Sequence, residues 1–479
     1  MNKAKEDVRI LLINPKAERE IEYQLFPIGL SYIAQALISE GYKNIQTWDC
    51  NVHHLEEMEF KKFIREGKFH IVGLTGLVAV YAQVRYLSNM IKEISPETIL
   101  VQGGPIATAF PEIVLNNTKV DVVVLAEGES TIKDFANAIA EGKDLGEVAG
   151  ICYRDTNGEV IKTLPRNPIK DLDSISFPNR DVFPFENYLR SSSIRTFQRK
   201  SRVAIMNTSR GCPYSCAYCY MDMWGHHHYY RSPENIIEEM RILIDQYGVD
   251  GINFVDDVFT LNRKHTMNLC EVILKSGIKI DWICSTRVNL VPMELLRMMK
   301  KAGCRTICYG IESGSQKVLD EMDKRVTVEQ ASEAVERTWD AGIIPYAFLM
   351  IGYFGETDET LQDTLRFCLK HRLTGSFSFP TPFPSTALFD RARDEGFIPH
   401  SVEWILRNWV DWTKQEETCL NFTSISDERL IAFKKKAERS LAIKNLIPSL
   451  FRYSRILPPG QFARYCGLRV AEAVNSKLS

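Results

Sequence analysis

The sequence predicts an α/β protein: two successive parallel-sheet domains followed by a helical C-terminal region. Three observations carry this. β-branched runs alternate with amphipathic segments between residues 5 and 142, and the same alternation restarts near residue 201 and runs to 400. Between them, residues 143–200 are punctuated by Pro165, Pro168, Pro178 and Pro184. A chain of 479 residues is long enough for two or three domains.

In the first region the runs Val8–Ile13, Asn44–Trp48, Ile71–Thr75, Thr98–Gln102 and Asp121–Leu125 read as strands. Helical periodicity fills the gaps, as in Pro27–Glu40, which stops at Gly41. Apolar strands separated by helices imply a parallel sheet covered on both faces, a doubly wound, Rossmann-like domain. Ligands of such sheets bind beyond the carboxyl ends of the strands. Those ends carry Asn14-Pro15, Thr75-Gly76, Gly103-Gly104-Pro105 and Glu127-Gly128-Glu129. Residues 143–200 read as a linker over the surface, with a hairpin of Ile151–Arg154 and Val160–Lys162 around Asp155-Thr156-Asn157-Gly158.

The second region offers six strands: Val203–Thr208, Ile252–Val255, Ile280–Ser285, Cys304–Ile311, Ile344–Ile351 and Gly375–Pro380. Ser232-Pro233 and Gly248 bound one helix, and Thr327 with Gln330 forms a capping box for another. Six βα units are too few for a closed eight-stranded barrel.

Directly after the first of these strands stand Cys212, Cys216 and Cys219, in Gly-Cys-Pro-Tyr-Ser-Cys-Ala-Tyr-Cys-Tyr (211–220). Thiolates are the soft ligands of iron–sulfur clusters, and three of them leave one iron of a cubane open. A zinc site completed by His226, His227 or His228 is the bland alternative, and it lacks a second cysteine knuckle. The three histidines themselves read as a solvated loop.

The loop's C-x3-C-x-aromatic-C pattern, with Tyr218 as the aromatic, resembles the radical S-adenosylmethionine (SAM) enzymes. That resemblance implies a partial (β/α)6 barrel, a [4Fe–4S] cluster on the three cysteines, and SAM on the open iron. It extends to the other strand ends, Phe254–Thr260, Cys284–Asn289, Tyr309–Gly314 and Gly352–Thr357. SAM needs a cation for its carboxylate and acceptors for its ammonium and ribose hydroxyls. Tyr218, Asp256, Asp257, Ser285, Arg287, Glu312 and Ser313 are the candidates. Singly, Asp257 reads as well as a helix cap, Arg287 as an ion pair and Glu312-Ser313-Gly314 as a βα turn. No catalytic residue is assignable beyond the cluster ligands.

The first domain resembles the cobalamin-binding domains fused ahead of such barrels, through Gly-Leu-Thr (73–75), Gln-Gly-Gly-Pro (102–105) and Ala-Glu-Gly-Glu (126–129). The resemblance implies cobalamin contacts at Pro27, Thr75, Gly103, Gly104, Glu127, Gly128 and Glu129. The axial histidine loop of the cobalamin mutases is replaced by Asn14-Pro15-Lys16-Ala17-Glu18, and His53 and His54 follow the wrong strand. Cobalamin would then have no histidine on its lower face. A plain dinucleotide-type domain serving another ligand is the alternative.

The resemblance implies an enzyme, a cobalamin-dependent radical SAM methyltransferase acting on an unactivated carbon. A radical cyclase or ring-former of the same architecture, and a non-catalytic cobalamin carrier or sensor, are the alternatives. Its partners would be a small-molecule or lipid-like substrate and an electron donor such as flavodoxin or ferredoxin. Twelve cysteines, no export signal and no bilayer-length apolar run suggest a cytoplasmic protein. The formal net charge of −2 hides a tail: residues 429–479 hold eleven Lys or Arg against two Glu. Leu430, Phe433, Ala437 and Leu441, then Ile447, Leu450, Phe451, Ile456, Leu457 and Phe462, mix with these cations in the 401–479 region. Such a pattern suits a helical cap or peripheral contact with an anionic membrane. No recognised module accompanies the charge to suggest nucleic acid.

Overall fold

The computed structural model describes residues 3–16, 25–53, 57–77, 80–190, 202–398, 421–444 and 460. They fall into two units, the first taking the described residues up to 190 together with 220–229.

In the first unit, β1 (Arg9–Asn14), β2 (Asn44–Asp49), β3 (Ile71–Thr75), β4 (Ile99–Gly103) and β5 (Val122–Val124) form a parallel sheet in the order β2-β1-β3-β4-β5. Ile10, Leu11, Leu12 and Ile13 are all essentially inaccessible, as a strand covered on both faces requires. The order reverses between β1 and β3, so the switch-point crevice lies at Asn14 and Thr75. The hairpin strands β6 (Ile151–Arg154) and β7 (Val160–Lys162) do not stand apart as a linker. β6 pairs antiparallel with β5, extending the sheet to seven strands. The hairpin turn is held by Asp155, whose Oδ1 accepts from the Asn157 and Glu159 amides at 2.9 and 2.8 Å.

The second unit is an open six-stranded sheet with every neighbour parallel. Its strands are β8 (Val203–Met206), β9 (Gly251–Phe254), β10 (Asp281–Thr286), β11 (Cys304–Glu312), β12 (Ile344–Met350) and β13 (Thr374–Ser378), paired in chain order. Its helices begin and end where local chemistry places them. Ser232 accepts from the Asn235 amide, and Gly248 ends that helix at φ 60°. The Thr327–Gln330 capping box is complete in both directions, at 3.1 and 3.0 Å.

In the helix Asp427–Lys444, Leu430, Phe433, Ala437 and Leu441 are buried. Phe433 meets Phe377 of β13 edge to face at 6.5 Å, and Lys434 lies over the Phe379 ring. This half of the basic tail is therefore a helical cap on the barrel; its apolar stripe is not available to a membrane. Ile447 to Phe462, like His54 and Ala17-Glu18, lie outside the described residues. No helix among the described residues is long and apolar enough to cross a membrane.

Candidate functional site

The site begins where β8 runs out of apolar residues. Thr208 and Ser209 follow the strand, and both are fastened to Asp256 at the end of β9. Asp256 Oδ1 accepts from the Thr208 amide at 3.0 Å, from Thr208 Oγ1 at 2.8 Å and from Ser209 Oγ. Neighbouring Asp257 accepts from the Gly211 amide at 3.1 Å, one residue before Cys212. The paired carboxylates thus fix the entry to the cysteine loop. Burial pushes the Asp256 carboxyl up to about 6, against the hydrogen bonds from Ser209 and Thr208, and its Oδ2 has no partner among the described residues.

The loop's far side is held by three other elements. The Ala217 amide donates to Met322 O at 3.0 Å, and the Leu388 amide donates to Ala217 O at 2.8 Å. Arg287, 6% exposed, donates from Nη1 to Cys216 Sγ at 3.3 Å and from Nη2 to Lys324 O, with its guanidinium 3.8 Å above the Tyr214 ring. Arg287 Nε is buried without a partner among the described residues. Tyr218 OH donates to Glu312 Oε1 at 3.0 Å, and Lys324 Nζ donates to the Tyr218 hydroxyl at 2.7 Å and to Glu312 Oε1 at 3.0 Å. The Cys216 thiol is drawn below the ordinary thiol range, first by its hydrogen bond with Cys219 and then by the Lys324 and Arg287 charges. Among the described residues no three His, Cys, Asp or Glu side chains converge as a ready single-ion site. The Cys212 thiol is pushed up by burial, and the Cys219 thiol by its hydrogen bond with Cys216 and then by burial. Three thiols on one clamped loop, beside two buried cations, fit an anionic cluster.

Among the other expected SAM contacts, Ser285 is half-buried on β10, beside Cys308 of β11. Ser313 is spent on structure: its Oγ lies 3.1 Å from Thr364 Oγ1 and accepts from the Ser315 amide. Lys324 is the residue that sequence reasoning missed. A lysine in the turn Met322-Asp323-Lys324-Arg325 reads as solvated, and only its low exposure of 6% says otherwise.

In the first unit, Thr75, Gly103 and Gly104 meet at one end of the sheet. Gly104 has φ +95°, and a Cβ there would lie 3.0 Å from Gly76 O and 3.2 Å from Thr75 Oγ1, so backbone and hydroxyl close in where a side chain would stand. Beneath them Gln102 is fully buried, with neither amide atom partnered among the described residues. It breaks the apolar run of β4, a signal legible in the sequence. An unsatisfied amide below a glycine cradle fits a large polar ligand approaching the backbone. Pro27 is the N-cap of the helix Ile28–Ser39. Glu127 Oε2 accepts from the Ile169 amide at 2.7 Å. At Gly128 a Cβ would strike Ile33. Glu127 and Glu129 are each only 9% exposed, and these three residues organise the helix Gly128–Glu141 and its packing. His53 stacks on Trp48 at 4.6 Å and bonds backbone at Asp49, so it is committed to the end of β2. His226 and His227 are exposed, and His228 is half-buried. Tyr220, the residue after Cys219, donates to Pro105 O at 2.9 Å, beside the glycine pair.

Two family models match the chain: the radical SAM superfamily over residues 206–368 and the B12 binding domain over residues 18–136. The chain carries a radical SAM domain with a B12-binding domain ahead of it, and together these call for an enzyme whose cofactors are a [4Fe–4S] cluster, SAM and cobalamin. It is 29% identical over 459 residues to an uncharacterised methyltransferase of Pyrococcus horikoshii, spanning 93% of this chain and 95% of that protein. It is also 29% identical over 399 residues to the anaerobic magnesium-protoporphyrin IX monomethyl ester cyclase of Rubrivivax gelatinosus, spanning 81% and 70% of the two chains. The radical SAM methyltransferase TsrM of Kitasatospora setae shares the fold, with a TM-score of 0.68 at 20% identity over 81% of this chain and 76% of that one.

Proposed function

We propose that this enzyme transfers a methyl group to an unactivated carbon of a small-molecule or lipid-like substrate. The observation that carries the proposal is the pairing of a clamped three-cysteine loop with a glycine-cradled B12-binding domain in a chain similar to a methyltransferase along nearly its whole length. When bound, the cluster and SAM supply a 5′-deoxyadenosyl radical, and cobalamin supplies the carrier for the methyl group.

Cys212, Cys216 and Cys219 would hold three irons and leave the fourth open. Asp256 and Asp257 act one step back, fixing the loop that presents the thiolates. Glu312 and Ser285 stand as acceptors toward SAM, with Tyr218 and Arg287 bracing the loop beside them. In the first unit Thr75, Gly103 and Gly104 would admit cobalamin, and Asn14-Pro15 at the end of β1 offers its metal no histidine. The single electron for each cycle would come from a flavodoxin- or ferredoxin-like donor. Residues 445–479, with their Lys and Arg among apolar side chains, are assigned to contact with an anionic membrane surface, on their sequence pattern alone.

The test is anaerobic reconstitution with iron, sulfide, cobalamin, reductant and trideuteromethyl SAM, supplied with the metabolite that accumulates in a deletion strain. A product carrying the labelled methyl, formed with 5′-deoxyadenosine, supports the proposal. A product of unchanged carbon count would establish ring formation instead, the reading favoured by the cyclase relative. Cobalamin uptake with no 5′-deoxyadenosine under any condition would make the protein a carrier or sensor.

A further inference from the structure

The turn between the helices Gln316–Glu321 and Val328–Asp340 has a construction that turn-making alone does not explain. Asp323 and Arg325 both sit in the left-handed region, at φ +46° and +54°, which costs a non-glycine residue roughly 1 kcal/mol or more. The strain turns the Lys324 side chain inward, where only 6% of the residue is exposed. The same turn grips the cysteine loop through its backbone: Met322 O accepts from the Ala217 amide, and Lys324 O from Arg287. β11 makes room for the lysine. A Cβ on Gly310 would lie 2.6 Å from Glu312 Oε1 and 3.0 Å from Lys324 Nζ, so no side chain fits under the pair. Glu312 itself takes φ +65° to reach it.

A buried ion pair is an inefficient way to stabilise a fold, because desolvation offsets most of its attraction. This one lies against Tyr218, which stands between two cluster cysteines in the chain, with Lys324 Nζ 2.7 Å from the Tyr218 hydroxyl.

We infer that Lys324 is a positioning residue that also sets the reduction potential of the cluster. Its ammonium holds Tyr218 and Glu312 in register and supplies a fixed positive charge that favours the added electron. Reduction takes the cluster from the 2+ to the 1+ state with one electron from a low-potential donor, and no bond is made or broken. A cation held in a poorly solvated pocket stabilises the more negative state, while Glu312 opposes it and is masked by the lysine. The inference rests on the reading that the cysteine loop holds a [4Fe–4S] cluster.

The test is a dye-mediated titration of the reconstituted holoenzyme with dithionite, without SAM, following the reduced-cluster electron paramagnetic resonance signal. Lys324→Met should move the midpoint negative, with the reduced-to-oxidised ratio of the cluster about tenfold lower at the wild-type midpoint, equivalent to roughly 59 mV for one electron. Lys324→Arg should restore most of the shift. Glu312→Gln, which leaves the lysine unmasked, should move the midpoint the other way. Midpoints that stay in place in both Lys324→Met and Glu312→Gln, or that shift in the same direction, would overturn the inference, since a merely structural lysine gives no opposite signs. Should Lys324→Met lose its iron, Lys324→Arg and Glu312→Gln still decide the sign. A wild-type protein with no four-iron signal would instead overturn the reading of the loop.

Discussion

The two parallel sheets end differently. At the barrel's strand ends the charged side chains are committed to the protein: Asp256, Asp257, Arg287, Glu312 and Lys324 all hydrogen-bond within it, and most brace the cysteine loop. At the end of β3 and β4 in the first unit, glycines take the place of side chains and Gln102 is left unsatisfied. The difference follows from what each end must hold. A cluster is bound by three short covalent bonds from one loop, so the protein's task is to fix that loop to fractions of an ångström. A large polar ligand is bound by surface, so the task there is to clear space and expose backbone.

Cys216→Ala tests this contrast most severely. It should abolish cluster iron and 5′-deoxyadenosine formation while leaving cobalamin uptake by the first unit unchanged; a parallel loss of cobalamin would break the comparison. Gly104→Ala is the converse. The added Cβ meets Gly76 O at 3.0 Å on a backbone at φ +95°. Cobalamin binding should weaken by at least about tenfold, about 1.4 kcal/mol, with iron content intact. Binding by spectral titration and iron by colorimetric assay would separate the two.

Asp256→Ala should destabilise the barrel by about 3 kcal/mol, since it strands the Thr208 and Ser209 donors in a buried setting. Its effect on iron retention, measured after gel filtration, shows how far loop entry controls the cluster.

An effect confined to high pH concerns Glu356, after β12, which is 3% exposed and pushed up to about 8 by burial, against the backbone amides of Gly352 and Tyr353. A carboxyl raised from 4.5 when folded contributes its stability fully below pH 4.5 and loses it as pH rises through 8. Glu356→Gln should therefore match the wild type near pH 4.5 and exceed it near pH 9, by at most about 5 kcal/mol. Thermal melts across that range check the sign.

Much of this was legible in the chain. Each expected strand of both sheets exists, with ends shifted by at most two residues, because apolar runs between helix stops leave few other options. The Ser232 and Thr327 caps follow from local spacing alone. The hairpin after residue 150 was read correctly as a hairpin, but its sheet was not, since edge pairing depends on a neighbour far away in sequence. The tail stripe at Leu430–Leu441 carried a membrane-like pattern that barrel packing claims instead, and amphipathicity does not name the surface it buries against. In the site, the strand-end residues expected from the sequence do lie at the strand ends, and several of them bond within the protein. The two aspartates hold the loop, Ser313 and Glu127 bond to the protein itself, and Lys324 gave no local sign.

The sequence by itself determined the three-cysteine spacing, the parallel α/β order and the glycine pair, because each is set by spacing or periodicity within a few residues. Tertiary structure alone decided which charged groups reach the cysteine loop. Lys324 stands over a hundred residues from Tyr218, and only a strained turn and a missing side chain at Gly310 bring its ammonium within 2.7 Å. Pairing a buried charge is a property of three-dimensional closure, and no local pattern encodes it.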